Sequence, residues 1–206
     1  MISTILSESE QDKLIRKLEI FKIQGRDKRG RPILRIIGKY FPARLVSVDA
    51  LKKYLEAEIF PGLEGRRFSV VYVNTEVNRA DNFAGISALR SIYDAVPVKV
   101  WENLDTFYFL HPGLQSRLFL ATLGRVLFAS GGGLYGKVKY VNRVEFLWDY
   151  VRRIGFEMPE FVSEFDEEME CRGTLDYGLE SDHPGLERAC SGLDSAVSTY
   201  SMRCIA

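Results

Sequence analysis

Histidine is nearly absent from this chain: His111 and His183 are the two among 206 residues. That scarcity excludes metal centres built mainly on imidazole and leaves a serine-type hydrolase almost no choice of base. Cysteine is scarce as well. Cys171, Cys190 and Cys204 all fall near the C-terminal end, at spacings that fit neither a zinc site nor a redox motif, and an odd, unclustered number points to free thiols in a reducing compartment. There is no net charge, 28 Lys/Arg standing against 28 Asp/Glu, so the whole chain exerts no pull on nucleic acid. Long apolar runs are missing too. The longest apolar segment, 114 to 130, is interrupted by Arg117 and Arg125 and is too short and too charged to span a bilayer. Around Ser7-Glu8-Ser9-Glu10 no apolar stretch leads to a small-residue cleavage site, so no secretory signal is expected. Cys204 stands third from the end, where a prenylation box needs its cysteine fourth. The expectation is a cytoplasmic chain, able to touch membranes peripherally, with no metal and no cofactor.

What is present is ordinary globular composition, 46% hydrophobic and 27% charged, enough for one buried core. The charge is uneven along the chain. Residues 1 to 44 hold eleven Lys/Arg against five Asp/Glu, and residues 157 to 187 hold eleven Asp/Glu against Arg172 alone. Ser7 and Glu10 form a capping box before Leu14, Ile15 and Leu18, which predicts a short opening helix. Segments 20 to 24 and 32 to 37 are apolar and β-branched around the turn Asp27-Lys28-Arg29-Gly30, which predicts a strand pair. Val48, Leu51, Leu55 and Ile59 repeat at helical spacing until Pro61-Gly62.

From there strands and helices alternate. Strands are expected at Phe68 to Val73, Leu104 to Leu110 and Val138 to Val141, and helices at about 84 to 95, 114 to 130 and 143 to 153. The runs Ser69-Val70-Val71-Tyr72-Val73 and Phe107-Tyr108-Phe109-Leu110 lack polar alternation, as parallel strands covered on both faces require. The fold class is therefore α/β: a mixed, mainly parallel sheet with helices packed on it. The domain division is a helix at 1–19, the sheet domain at 20–166, and an acidic, Gly- and Ser-rich tail at 167–206, expected to be flexible.

Three motifs invite catalytic readings that their contexts oppose. Gly131-Gly132-Gly133-Leu134-Tyr135-Gly136-Lys137 matches part of a phosphate-binding loop, but Val138 replaces the magnesium-binding hydroxyl, and a helix precedes where a strand should. Gly85-Ile86-Ser87-Ala88-Leu89 lacks the second glycine of a nucleophile elbow. His111 closes the strand 104 to 110, a position open to ligands in α/β sheets, though a strand-end turn before Pro112 is the better explanation. Glu76, Glu102 and Asp105 obey no spacing rule that would join them as paired carboxylates. No enzyme is expected. Arg26, Lys28, Arg29 and Arg31 crowd the first turn, a pattern that suits anionic headgroups or an acidic protein. No aromatic is interleaved among them, which argues against single-stranded nucleic acid.

The run Gln24-Gly25-Arg26-Asp27-Lys28-Arg29-Gly30-Arg31-Pro32-Ile33 resembles the opening strand pair of CRAL-TRIO domains. Phe68 to Asn74, Glu102 to Pro112 and Gly136 to Val141 agree with it in order and spacing. The resemblance covers about residues 20 to 165 and lacks the full N-terminal helical tripod. It implies a pocket beneath the sheet for phosphatidylinositol, other phospholipids or small lipophilic molecules, closed by a gate helix. Here Gly113 to Gly136 falls at the gate, so Leu118, Phe119, Leu123, Val126 and Leu127 would line gate or pocket. In phosphatidylinositol-transfer members an acidic residue and a lysine hold the headgroup, and these positions match Glu102 and Lys137. Val100-Trp101, Leu110-His111-Pro112 and the single preceding helix depart from the transfer proteins toward the BCH branch. That branch implies a scaffold for small GTPases or GTPase-activating proteins.

Overall fold

The structure is a computed structural model that describes residues 6–124 and 134–171. Helix α1, Glu8–Lys17, opens where expected: the Ser7 side chain accepts from the Glu10 backbone amide, and the Glu10 carboxylate accepts from the Ser7 amide at 2.8 Å. This reciprocal bonding satisfies amides that the first turn leaves free. Gln11 and Ile15 are the residues that α1 buries. Gln11 fastens the helix to the next one, accepting from the Ser47 amide at 2.8 Å.

Strands β1, Phe21–Arg26, and β2, Pro32–Ile37, form an antiparallel hairpin with a bulge between Gln24 and Arg26. Gly25 makes that bulge feasible. Its φ is +61°, and an added Cβ would lie 3.1 Å from both the Gly155 carbonyl oxygen and the Phe156 side chain, so a side chain is excluded by strain and by space. Helix α2, Val48–Tyr54, is capped by Ser47 and runs through a π-helical turn, Leu55–Ile59, into α3, Phe60–Leu63. The sequence pattern ends this helix at Pro61, yet it continues to Leu63. Pro61 sits in the first turn of α3, where a missing amide hydrogen costs little.

Strand β3, Phe68–Val73, leads through α4, Arg79–Asn82, and α5, Ile86–Ala95, to α6, Val98–Asn103, and strand β4, Leu104–Leu110. Helix α7, Leu114–Phe119, passes into a second π-helical turn, Leu120–Gly124. Then come α8, Leu134–Lys137, strand β5, Val138–Val141, α9, Val144–Leu147, and α10, Glu160–Cys171. The five strands lie in the order β1-β2-β3-β4-β5, with β2 through β5 mutually parallel. The expected architecture is the one found: a mainly parallel sheet with helices on both faces.

One expected helix is much shorter. Helical structure expected over 143 to 153 reduces to α9, because the backbone beyond it is taken by the first hairpin. Lys28 donates to the Tyr150 carbonyl at 2.8 Å, Arg152 donates to that of Arg26 at 3.0 Å, and Val151 bridges Asp27. Helix α10 runs across the boundary drawn at residue 167.

Alternate strand residues face opposite sides, as the period of two demands. Ile33, Val71, Val73, Leu110 and Val141 pack with Val144, Leu147 and Val162. Leu34, Val70 and Leu104 pack on the other side with Leu51, Leu55, Phe60, Leu63 and Tyr93.

Candidate functional site: a cavity beneath the sheet

Ile36, Tyr72, Phe107 and Phe109 come from β2, β3 and β4 and look onto a cavity of about 600 Å³. Leu51 and Leu55 close it from the helical run that starts at α2. Leu89, Ile92 and Tyr93 close it from α5, and Phe119 and Leu120 from the α7 segment. Over the cavity this face presents a row of rings. Tyr72 lies 5.0 Å from Phe109 and 6.3 Å from Phe107 between ring centroids, and such flat groups tile a wall without interdigitating across the gap. Gly38 also lines it. A Cβ there would approach the Tyr72 hydroxyl and a Val77 methyl to 2.6 Å, so glycine leaves that ring its place.

The two ends differ. At the N-terminal ends of β4 and β5 the lining is Val96, Trp101, Leu134 and Val138. At the C-terminal ends of β3 and β4 it is Asn74, Arg79, Gln115 and Ser116. Asn74 donates to the His111 carbonyl at 3.0 Å, which locks the two strand ends together. Arg79 is exposed and is the one charged side chain among the described residues lining the cavity. Tyr72 lies inside; burial pushes its phenol up to about 12, and its hydroxyl has no hydrogen-bond partner among the described residues.

The residues singled out in the sequence fall around this cavity unevenly. Phe119 lines it, whereas Leu118 is 55% exposed and points elsewhere. Leu123 is described as backbone alone, and Val126 and Leu127 lie outside the described residues, as do Gly131, Gly132 and Gly133. Glu102 is exposed. Lys137 donates to the Trp101 carbonyl at 3.0 Å, which brings its ammonium beside the backbone that carries Glu102. Neither Glu102 nor Lys137 lines the cavity, but their neighbours Trp101 and Val138 do. Sequence reasoning missed Tyr72, Arg79 and Gln115. The signal for Tyr72 was present, a lone phenol in the run Val70-Val71-Tyr72-Val73; nothing in the local pattern marked the other two.

His111 belongs to a different place. It is buried with φ +50°, its Nδ1 is 2.7 Å from the Thr75 hydroxyl, and its Nε2 is 3.0 Å from an Asp166 carboxylate oxygen. The other Asp166 oxygen accepts from the Val144 amide at 3.0 Å, and Arg143 lies 3.4 Å away. Burial holds the imidazole below its ordinary pKa despite the neighbouring carboxylate. A hydroxyl, an imidazole and a carboxylate in line have the order of a hydrolytic triad. Thr75, however, is 1% exposed and lines no cavity described here, so no substrate carbonyl reaches it. The network ties α10 to the strand ends.

The basic turn is partly neutralised from within. Arg31 pairs with Asp27 at 2.6 Å and with Asp105, and Arg26 donates to the Gly30 carbonyl at 2.8 Å. Arg29, 77% exposed on its side chain, reaches Asp105 only at 3.9 Å. Among the described residues, no cluster of His, Cys, Asp and Glu has the makings of a metal site, and no helix is long and apolar enough to cross a membrane.

The mainly parallel sheet with its helices agrees with the fold that the resemblance implies. The family profile described as a divergent CRAL/TRIO domain matches residues 30–168. The chain belongs to the divergent CRAL/TRIO family. Among curated relatives it is similar to Protein GDAP2 homolog of Drosophila melanogaster, 28% identical over 142 residues that cover 69% of this chain and 25% of that protein. It is also similar to ganglioside-induced differentiation-associated protein 2 of Homo sapiens, 27% identical over 166 residues covering 78% of this chain and 31% of that one. The protein of that name in Danio rerio is 27% identical over 145 residues. The chain thus spans about a quarter to a third of the length of the relatives it matches.

Proposed function

We propose that this CRAL/TRIO chain binds a lipid in the cavity beneath its sheet and carries or presents it without transforming it. The observation that carries this reading is a half-open cavity of about 600 Å³ whose walls are mostly aromatic and aliphatic, a size and lining typical of small-molecule sites. Each methylene moved out of water gains about 0.8 kcal/mol in either a bilayer or a good pocket, so such a cavity balances the membrane a lipid leaves. The resemblance makes phosphatidylinositol the first lipid to test, with Glu102 and Lys137 at the rim, in a cytoplasmic protein that meets membranes peripherally. Native mass spectrometry of the purified chain after incubation with mixed-lipid vesicles tests the reading. One lipid per chain is expected, and Ala84→Trp, which fills the cavity from its lining, should abolish uptake while far-ultraviolet circular dichroism stays unchanged. Absence of uptake by the parent, or equal uptake by the filled variant, would rule it out.

A second reading, a BCH-type scaffold for a small GTPase or its activating protein, draws on the exposed cations of the first turn and of Arg67, whose side chain is 75% exposed. It predicts capture of such partners by the lipid-free chain, lost on Arg29→Glu with Arg67→Glu. Capture that needs bound lipid, or none at all, would count against it.

A further inference from the structure

We infer that the cavity's occupant is a single-chain amphiphile with an anionic head, a carboxylate or a phosphate monoester, held head-first at Arg79 and Tyr72. This rests on the lipid-binding reading above, but it puts a single-chain ligand in place of phosphatidylinositol and the head at Arg79 in place of the Glu102 and Lys137 rim.

The charge of the head follows from the lining. Among the described residues Arg79 is the one charged side chain that lines the cavity, and no carboxylate lines it. The acidic groups flanking Arg79 in sequence are already engaged: Asp81 pairs with Arg44 at 3.4 Å, and Glu76 pairs with Lys39. Arg79 itself makes no ion pair among the described residues and leans over the Phe83 ring at 5.8 Å. A guanidinium kept free of carboxylates at the edge of an apolar space presents its donors to an incoming oxyanion. Its exposure keeps the head in contact with water, so that no charge has to be fully buried.

Tyr72 supplies the second donor. Its hydroxyl lies beside Gly38 and Val77, both of which line the cavity. Val77 is two residues from Arg79, which sets the phenol toward the Arg79 end. The hydroxyl makes no hydrogen bond among the described residues and so is free to donate to an oxyanion in the cavity. The phenol is held neutral by burial, so it donates across the physiological range.

The tail follows from the other end. Val96, Trp101, Leu134, Tyr135 and Val138 line it, and the Lys137 ammonium is turned to the Trp101 carbonyl. Volume fixes the number of chains. A methylene takes nearly the space of a water molecule in the liquid, about 30 Å³, so one sixteen-carbon chain fills roughly 480 Å³ and two fill roughly 960 Å³. A half-open cavity of about 600 Å³ encloses one such chain but not two.

The test is calorimetric titration of the purified chain with palmitic acid, palmitoyl lysophosphatidic acid, methyl palmitate and dipalmitoyl phosphatidylinositol, each delivered from cyclodextrin. Both acids should bind one per chain, about tenfold tighter than the methyl ester, as a charge-assisted contact at a half-exposed site provides. The tighter of the two acids identifies the head. Arg79→Gln should erase the acid's advantage and leave ester binding as it was, and that unchanged ester binding shows the variant folded. Tyr72→Phe should reduce the advantage severalfold, and Lys137→Gln should leave it unaltered. Equal binding of acid and ester, an equal loss of both in Arg79→Gln, or tighter binding of the two-chain lipid would each overturn this inference while leaving a lipid-binding cavity. If none of the four binds, the proposed function falls with it.

Discussion

On one face of the sheet Ile33, Val71, Val73 and Leu110 meet Val144, Leu147 and Val162, and nearly all of these are sealed from solvent. On the other, Ile36, Tyr72, Phe107 and Phe109 look across about 600 Å³ of open space. The residues alternate along the same strands, so the difference does not lie in the backbone. The filled face uses short branched side chains that interlock, and it even accommodates Arg35, whose guanidinium donates to the Glu157 and Glu19 carbonyls. The hollow face uses rings that stack edge to edge along the sheet. One face is the part of the domain that holds it together; the other is where a ligand fits.

The largest effect that would sharpen this contrast comes from making one substitution on both faces. Leu147→Ala empties a site with no exposure at all and should cost about 3 kcal/mol of unfolding free energy, within the usual range for buried leucine. Leu89→Ala borders a space that already lacks partner atoms and should cost about 1 kcal/mol or less. Urea denaturation measures both, and equal costs would mean that the cavity wall is packed as tightly as the core.

A second, smaller effect concerns how the filled face is pinned at its edge. Asp166→Ala removes the carboxylate that bonds His111 and the Val144 amide and faces Arg143 at 3.4 Å, and should lower stability by about 2 kcal/mol, because buried donors are left without partners. Hydrogen exchange should show faster opening of the Glu160–Cys171 helix, with the cavity-facing helix Ile86–Ala95 unaffected. Uniform acceleration of both would show that the network is not local.

The smallest effect is a pH dependence confined to the filled face. The folded state keeps His111 neutral below its ordinary value of 6.5, whereas the unfolded chain protonates there. The associated stability is therefore present above about pH 6.5 and is lost as pH falls toward the folded value, at most about 1 kcal/mol down to pH 5.5. His111→Asn keeps a residue that tolerates the left-handed backbone and should flatten this part of the profile. A variant as pH-sensitive as the parent would assign the effect to other groups.

The capping box at Ser7, the hairpin turn at Asp27 to Gly30 and the strands from Phe68, Leu104 and Val138 were legible because each rests on neighbours within a few residues. The helix expected beyond Val144 was not, since the carbonyls and amides of 150 to 152 bond to a hairpin more than a hundred residues away. The same holds for the site. The resemblance singled out Glu102 and Lys137, which stand where β4 and β5 begin. That Lys137 turns to a backbone carbonyl, and that Arg79 and Tyr72 gather at the opposite end, was not legible.

By itself the sequence determined the α/β class, the parallel strands, the hairpin and the family resemblance, because periodicity, turn chemistry and motif order are properties of the chain. Only the tertiary structure decided that one face is solid and the other hollow, that His111 braces a helix beyond the reach of any substrate, and which cation borders the cavity. Burial, free volume and ion pairing are set by what residues distant in the chain bring together, and no local pattern encodes that sum.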